Sequence, residues 1–296
     1  MQDVIIIGGS FAGLTAAMQL GRARRKVTVL DTGLNRNRYA AHAHNIFGHD
    51  GTAPGDLLSA ARKQVAQYPT VKLVNGKAVG ISGEPDNFAV TTAEGETISG
   101  RRIILSYGIV DEFPAIPGFA ESWGNTVIHC PFCHGYEVAG TRWGLLYSSP
   151  MSLHGPVLYA NWTDDITLIL DGHEIIGEER SKLEKRGVKI VDGKLVSIEH
   201  DGGRISGVTM DDDRWVALEA LYAHPHNRPS ADLHMQLGLE MADTPTGSMI
   251  VVKDMQATSR AGIFAAGDLT TGMHSVTFAS NTGSLAAMGA LQSMMV

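Results

Sequence analysis

The spacing of apolar residues predicts a β-α-β unit at the start of the chain. A β-branched run over 4–7 ends in Gly8-Gly9, as buried parallel strands do. The pattern over 12–20 is typical of a helix, and the segment over 26–30, with its valines and a leucine, predicts a second strand. The chain therefore opens with two strands joined by a helix.

The remaining pattern continues to alternate strands and helices. A helix is predicted over 52–68, and turns at Asn75-Gly76 and Glu94-Gly95 predict an antiparallel meander over 71–105. The later predicted elements are strands over 143–147, 166–170 and 263–266, a charged helix over 178–186, and a long helix after the last strand. This order indicates the α/β fold class.

Composition narrows the classes of protein. The chain has 296 residues, of which 44% are hydrophobic, and a formal net charge of −7, which argues against a nucleic-acid partner. The N-terminus lacks a basic region, so no signal peptide is expected. The stretch over 269–296 has no charged side chain, but its polar residues favour a helix buried against a sheet or a subunit partner over a membrane span. We expect a soluble, cytoplasmic protein without a membrane partner.

The first chemical motif follows the first predicted strand and reads Gly8-Gly9-Ser10-Phe11-Ala12-Gly13. Glycines here permit a tight turn and let the backbone approach a pyrophosphate at the helix N-terminus. Asp31 ends the second strand, where an acidic side chain accepts hydrogen bonds from an adenosine ribose. The alternative is a plain turn between strand and helix. The strand-helix-strand setting favours a dinucleotide site, although Ser10 replaces the usual second glycine.

The second motif is Cys130-Pro131-Phe132-Cys133, which holds the only two cysteines of the chain. Two cysteines at this spacing can close a small disulfide and lower each other's pKa. The alternative is half of a zinc site, but zinc needs two more ligands and no second CxxC exists. The neighbours His129 and His134 would not easily complete a tetrahedron. We therefore predict a redox pair and no metal, and we interpret His224-Pro225-His226 as a loop.

The third motif is Gly262-Ile263-Phe264-Ala265-Ala266-Gly267-Asp268, which alone indicates only a buried strand and turn. With the glycine loop and the CxxC, in this order, it resembles the thioredoxin reductase family, the smaller flavin-dependent disulfide oxidoreductases. The resemblance spans nearly the whole chain and is strong at both ends. It implies FAD as the cofactor, a fold of two Rossmann-like three-layer domains, and a homodimer.

The resemblance also implies which residues contact FAD. The glycine loop and Asp31 would hold the adenosine diphosphate half, and Asp268 would bind the ribitol. Asn45 occupies the place of a family residue near the flavin. The full set expected at FAD is Gly8, Ser10, Phe11, Ala12, Gly13, Asp31, Asn45, Gly267 and Asp268.

Two domains are expected from the same resemblance. A discontinuous FAD-binding domain would cover 1–114 and 246–296, and a central domain over 115–245 would carry the CxxC. Pro114, Pro117 and Gly118 punctuate the chain at the first boundary.

The central domain departs from the family at its expected NADPH site. The segment over 145–152 has no glycine where the turn and the phosphate approach need one, and Pro150 has no amide hydrogen. After the next strand stands Leu170-Asp171-Gly172-His173, where a basic pair is expected, and an aspartate would repel a phosphate. Conventional NADPH binding is therefore not expected. The alternative is a divergent loop that still binds the cofactor through other contacts.

The residue after the CxxC is His134, where the usual reductases have an acidic aspartate. A histidine can move protons to and from thiols and flavin, or it can merely orient the loop. The Arg-Gln pair that the family has near the flavin is replaced by a run that contains His274, which either approaches the flavin or caps the last helix. A CxxC followed by His-Gly, with the NADPH site lost, resembles the dithiol oxidases of the gliotoxin and holomycin type.

The leading hypothesis is therefore a FAD-dependent enzyme that oxidises a dithiol to a disulfide, with oxygen as acceptor. Cys130 would meet the substrate, a small molecule or small protein, Cys133 would be the flavin-side thiol, and His134 would manage protons. A second hypothesis is a disulfide reductase that uses NADPH atypically or a ferredoxin-like donor. A third is a non-catalytic, flavin-bound sensor.

Overall fold

The structure is a computed structural model, which describes residues 1–295. The backbone divides into two compact units. The first consists of residues 1–38, 46–110 and the chain from 227 onward, and the second of residues 39–45 and 111–226. The expected boundary at 114/115 lies close to the division at 110/111. The expected return at 246 lies later than the division at 226/227, and the 39–45 segment was expected in the first domain.

Strands and helices alternate along most of the chain. Up to residue 128 they are β1 (Gln2–Ile7), α1 (Phe11–Arg22), β2 (Val27–Asp31), α2 (Pro54–Val65), β3 (Val71–Asn75), β4 (Ala78–Glu84), β5 (Asn87–Thr92), β6 (Thr97–Leu105), β7 (Ile109–Glu112), α3 (Phe119–Ser122) and β8 (Val127–Ile128). After it come α4 (Pro131–His134), β9 (Trp143–Leu146), α5 (Gly155–Tyr159), β10 (Ile166–Ile169), α6 (Glu178–Lys185), β11 (Lys189–Val191), β12 (Leu195–Asp201), β13 (Arg204–Met210), β14 (Trp215–Ala217), β15 (Ala220–Tyr222), β16 (His226–Pro229), α7 (Leu233–Gln236), β17 (Met241–Thr244), β18 (Gly247–Ile250), β19 (Ile263–Ala265) and α8 (Val276–Gln292).

The first unit is built on one mixed sheet of order β3-β2-β1-β6-β5-β4, with β19 also paired to β6. The strands β3, β2, β1, β6 and β19 are parallel, and β4 and β5 form the antiparallel part. The expected meander over 71–105 is therefore wrong at its start, because β3 pairs with β2 in parallel. The preceding helix α2 allows this return, and the Gly76 N–H then bonds to the Asp31 carbonyl instead of closing a hairpin.

Helices α1 and α8 cover one face of this sheet through small side chains. Ala16, Ala17, Ala286 and Ala290 are fully buried there. A Cβ on Gly283 of α8 would overlap the Ala12 backbone of α1, so the two helices approach closely only because that side chain is missing. The long uncharged helix predicted after the last strand is α8, and its buried half packs on α1.

The second unit contains a parallel sheet of order β11-β10-β9-β15-β8 and an antiparallel sheet of order β12-β13-β14. Trp143 and Tyr222 are fully buried in its core, and their rings pack at a tilt with centroids 4.7 Å apart. The α/β fold class predicted from the sequence is confirmed by these sheets and by the related structures described below. Among residues 1–295, no helix has both the length and the apolar character needed to span a membrane.

Candidate functional site

The loop between β1 and α1 depends on glycine for its packing. Gly8 has a φ of +105°, and a Cβ there would overlap the Ser106 carbonyl. A Cβ on Gly13 would overlap the Gly8 carbonyl and lie 2.9 Å from the Ser106 Oγ. That hydroxyl donates to the Gly8 carbonyl at 2.9 Å. The loop is therefore clamped between α1 and the residue that follows β6, with no room for side chains.

Ser10 explains why this loop tolerates a departure from the usual glycine pattern. It is the N-cap of α1 with an extended backbone (φ −92°, ψ −159°), which requires no glycine. Its side chain makes no capping hydrogen bond, and the first turn of this fully described helix has no acidic residue. The amides of Phe11 and Ala12 thus begin a helix whose positive end suits an anion.

Asp31 lies beside the glycine loop at the end of β2. A Cβ on Gly9 would be 2.7 Å from the Asp31 Cβ. Arg62 of α2 donates to Asp31 Oδ2 at 2.6 Å. An open cavity of about 360 Å³ lies here, and its lining includes Gly9, Asp31, Arg62, Leu73 and Asn75. A carboxylate for ribose hydroxyls and a guanidinium for phosphate fit the adenosine diphosphate half of FAD.

Gly267 and Asp268 follow β19, which is parallel to β6, and so they lie at the same carboxyl edge of the sheet as the glycine loop. Gly267 has a φ of +75°, and its N–H donates to the Thr282 hydroxyl at 2.9 Å. The Arg36 Nη1 lies 3.6 Å from Asp268 Oδ2, and both side chains are largely buried. Asp268 is thus a fixed carboxylate at this edge, of the kind that accepts hydrogen bonds from sugar hydroxyls.

Asn45 and His274 are the two residues that the sequence places near the flavin by their position relative to the family motifs. Asn45 has a φ of +61° and belongs to the 39–45 segment, which groups with the second unit rather than with the glycine loop. Its assignment to the flavin stays a prediction. Ser275, not His274, is the N-cap of α8, since its hydroxyl accepts from the Phe278 N–H at 3.1 Å.

Cys130 and Cys133 form a disulfide in the second unit, with their Cα atoms 5.3 Å apart. Cys130 is the N-cap of the short helix α4, and its carbonyl accepts from the Cys133 and His134 amides. Phe132, between the cysteines, is 61% exposed and packs edge-on against Trp162, with ring centroids 5.5 Å apart. The disulfide therefore lies on a helical turn that is fixed to the aromatic core of the unit.

His134 is buried at the end of this turn. Neither ring nitrogen has a hydrogen-bond partner within residues 1–295. Burial lowers the pKa of His134, while the charge of Glu137 raises it and that of His44 lowers it further. The imidazole is therefore neutral at pH 7, which suits it to accept a proton from a thiol.

The carboxyl edge of β9 and β10 is where a family member would hold its nicotinamide nucleotide. Here the Ser148 amide donates to the Ser152 hydroxyl at 3.1 Å, and Ser149 and Ser152 form a reciprocal capping box. The Asp171 carboxylate, at the end of β10, accepts from the Leu195 amide at 3.0 Å. These serine groups and the Asp171 carboxylate are thus hydrogen-bonded within the chain itself.

A glycine loop at the carboxyl edge of one parallel sheet, with a CxxC disulfide in a second α/β unit, defines a disulfide oxidoreductase of the flavin-dependent class. The chain belongs to the pyridine nucleotide-disulphide oxidoreductase family, whose model matches residues 2–146 and 157–283. Members of this family are flavoproteins, and the chain is accordingly a flavin-dependent oxidoreductase enzyme. The resemblance drawn from the three motifs is confirmed.

Relatives and solved structures agree with this assignment. The chain is 32% identical to thioredoxin reductase sirT of Leptosphaeria maculans, over 97% of this chain and 92% of sirT. It is 31% identical to thioredoxin reductase aclD of Aspergillus oryzae, over 99% of this chain and 96% of aclD. Among solved structures, an oxidoreductase from Agrobacterium tumefaciens is 38% identical, covers 99% of this chain and 98% of its own, and has a TM-score of 0.94. The structure of HlmI is 32% identical, covers 99% of this chain and 92% of its own, and has a TM-score of 0.92.

Several polar residues at these sites were not predicted from the sequence. Arg62 and Arg36 contact the carboxylates of Asp31 and Asp268. No motif marks either arginine, because each meets its partner only after the chain has folded. Glu137 carries a partial signal, since it lies three residues after His134 in the chain.

Proposed function

We propose that this enzyme oxidises a dithiol to a disulfide through Cys130 and Cys133, with FAD as cofactor and oxygen as the final electron acceptor. The observation that carries the proposal is the carboxyl edge of β9 and β10. There the Ser148 amide, the Ser149–Ser152 capping box and the Asp171 carboxylate are bonded within the chain, and the segment over 145–152 has no glycine for the approach of a phosphate. With that electron source disfavoured, thiols remain as the donor that a CxxC disulfide can oxidise.

The first half of the reaction is thiol–disulfide exchange, and its electrons balance. One substrate sulfur attacks Cys130 Sγ, the Cys130–Cys133 bond breaks, and Cys133 leaves as a thiolate. The second substrate thiol then loses its proton and displaces Cys130 from the mixed disulfide. The substrate is oxidised by two electrons and the cysteine pair is reduced by the same two.

His134 moves the protons of this exchange. The attacking thiol must lose a proton, and the departing Cys133 thiolate gains one. A neutral imidazole next to Cys133 in the chain can do both. FAD, held by the glycine loop, Asp31 and Asp268, would supply the two-electron acceptor for the reduced cysteines and the path to oxygen, so that one dithiol and one O₂ would give one disulfide and one H₂O₂.

Stopped-flow reduction of the FAD-loaded enzyme without oxygen tests the proposal. Dithiothreitol and an aromatic dithiol are expected to bleach the flavin absorbance, whereas NADPH is not. After air is admitted, one hydrogen peroxide should form per disulfide. Cys133→Ser should abolish bleaching while the FAD spectrum is retained. Bleaching by NADPH, together with none by any dithiol, would overturn the proposal.

The second candidate is a disulfide reductase, favoured by the name thioredoxin reductase that the relatives sirT and aclD carry. It would take electrons from NADPH through atypical contacts or from a ferredoxin-like donor, and pass them to a protein disulfide. The same experiment separates the two directions. Rapid bleaching by NADPH, followed by reduction of added oxidised thioredoxin, would select the reductase.

A further inference from the structure

His134 needs a route by which protons reach water. The exchange returns its protons to the cysteine pair, but reoxidation of the reduced pair releases two protons there. The nitrogens of His134 are buried and have no partner within residues 1–295. A buried imidazole that accepts a proton must pass it on before the next turnover. The polar groups that surround His134 therefore determine whether its imidazole can lose the proton before the next turnover.

Glu137 is placed to receive that proton. Residues 135–140 form turns directly after α4, and Glu137 lies in them, three residues beyond His134 in the chain. Its side chain is 43% exposed, so it reaches from the buried histidine to solvent. Its charge acts on His134, since it raises the pKa of that imidazole.

His44 fixes the Glu137 carboxylate from another segment of the same unit. The His44 Nε2 lies 3.4 Å from Glu137 Oε1, and the His44 side chain is 20% exposed. Two more titratable groups, Tyr222 and His42, lie near the His44–Glu137 pair. The buried Tyr222 hydroxyl, on β15, senses the charge of Glu137, and the ring of His42 lies 6.3 Å from that of His44.

We propose that Glu137 carries protons between His134 and solvent, and that His44 is the positioning residue that holds the Glu137 carboxylate for this transfer. The proposal rests on the dithiol oxidation described above. It adds two residues that the CxxC motif does not include.

The test uses FAD-loaded enzyme with Glu137→Gln, Glu137→Asp and His44→Gln. Glu174→Gln is the matched control, because Glu174 is an exposed carboxylate of the same unit. The first readout is the pKa of the oxidised enzyme's His134, measured by NMR with labelled histidine and assigned with His134→Gln. The second is the pH profile of flavin bleaching by dithiothreitol.

Opposite shifts are expected from the two positions. Glu137→Gln removes the side chain that raises the His134 pKa and should move that pKa down, whereas His44→Gln removes the side chain that lowers it and should move it up. The rate of flavin bleaching at pH 7 should fall about tenfold or more in Glu137→Gln, an effect no larger than the usual contribution of a general acid–base group. The rate should recover in part in Glu137→Asp. Glu174→Gln should behave as the wild type.

Shifts in one direction from both variants, or unchanged bleaching in Glu137→Gln, would overturn the proton route. A wild-type flavin that no dithiol bleaches would overturn the proposed function instead. In that case the NMR titration still decides whether Glu137 and His44 control His134. Retained FAD absorbance and near-UV circular dichroism show that each variant is folded.

Discussion

Gly13→Ala is the sharpest test of the glycine loop. The new Cβ would overlap the Gly8 carbonyl and lie 2.9 Å from the Ser106 Oγ. Backbone groups cannot rotate away, so α1 must shift from β1. Overpacking of this kind costs about 1–3 kcal/mol. If the cost is concentrated in the FAD-bound loop, the affinity for FAD falls about 5- to 150-fold, because about 1.4 kcal/mol corresponds to a factor of ten.

Gly55→Ala provides the matched control. Gly55 is an exposed glycine of α2 in the same unit, and an added Cβ would meet nothing within 4 Å. Alanine in that helix should leave FAD binding unchanged and stabilise the protein by about 0.5–1 kcal/mol. Titration of the apoprotein with FAD, followed by fluorescence quenching, and thermal unfolding measure both effects. Equal FAD affinity and equal melting temperature in the two variants would refute the packing argument.

Three further predictions concern other parts of the sites. Arg62→Ala should weaken FAD binding about tenfold in a fluorescence titration. The lost hydrogen bond to Asp31 is charge-assisted, such bonds contribute about 1.5–3 kcal/mol, and the 40% exposure of Arg62 places the effect at the low end of that range. Phe132→Ala should lower kcat/KM for an aromatic dithiol up to about tenfold, since aromatic pairs contribute about 0.5–1.5 kcal/mol. The kcat/KM for dithiothreitol should change little. The urea concentration at the midpoint of unfolding should decrease when the pH is lowered from 7.5 to 5.5. The decrease should be smaller in His134→Gln.

The sign of the pH effect follows from burial. The pKa of His134 is lowered in the folded protein and returns to its ordinary value of 6.5 on unfolding. The unfolded chain therefore binds more protons. The contribution of His134 to the free energy of unfolding is complete above pH 6.5 and is lost as the pH falls towards the folded pKa. An equal urea shift in wild type and His134→Gln would contradict this account.

The other two predictions have their own controls. Arg142→Ala breaks a 3.0 Å ion pair with Glu219 in the second unit and should not change FAD affinity. Val157→Ala truncates a 51% exposed apolar side chain of the same unit as Phe132 and should affect both dithiols equally little. An effect of Arg62→Ala no larger than that of Arg142→Ala would remove Arg62 from the FAD site.

Short-range patterns determined much of this protein from its sequence. The β-branched run, the glycines and the start of α1 are neighbours in the chain, and so are the cysteines and His134. Local geometry alone places them on one turn, because a few residues span only one strand end or one helical turn. The fold class, the family and the disulfide are visible in the sequence for this reason.

The tertiary structure decided what depends on contacts between distant residues. The parallel pairing of β3 with β2, the Arg62–Asp31 pair, and the His44–Glu137 pair each join segments that no motif connects. Strand register and side-chain partners follow from the burial of whole faces, which a local pattern does not encode. The sequence by itself thus determined which chemistry the chain carries, and only the folded structure decided which side chains tune the charge and the protons around it.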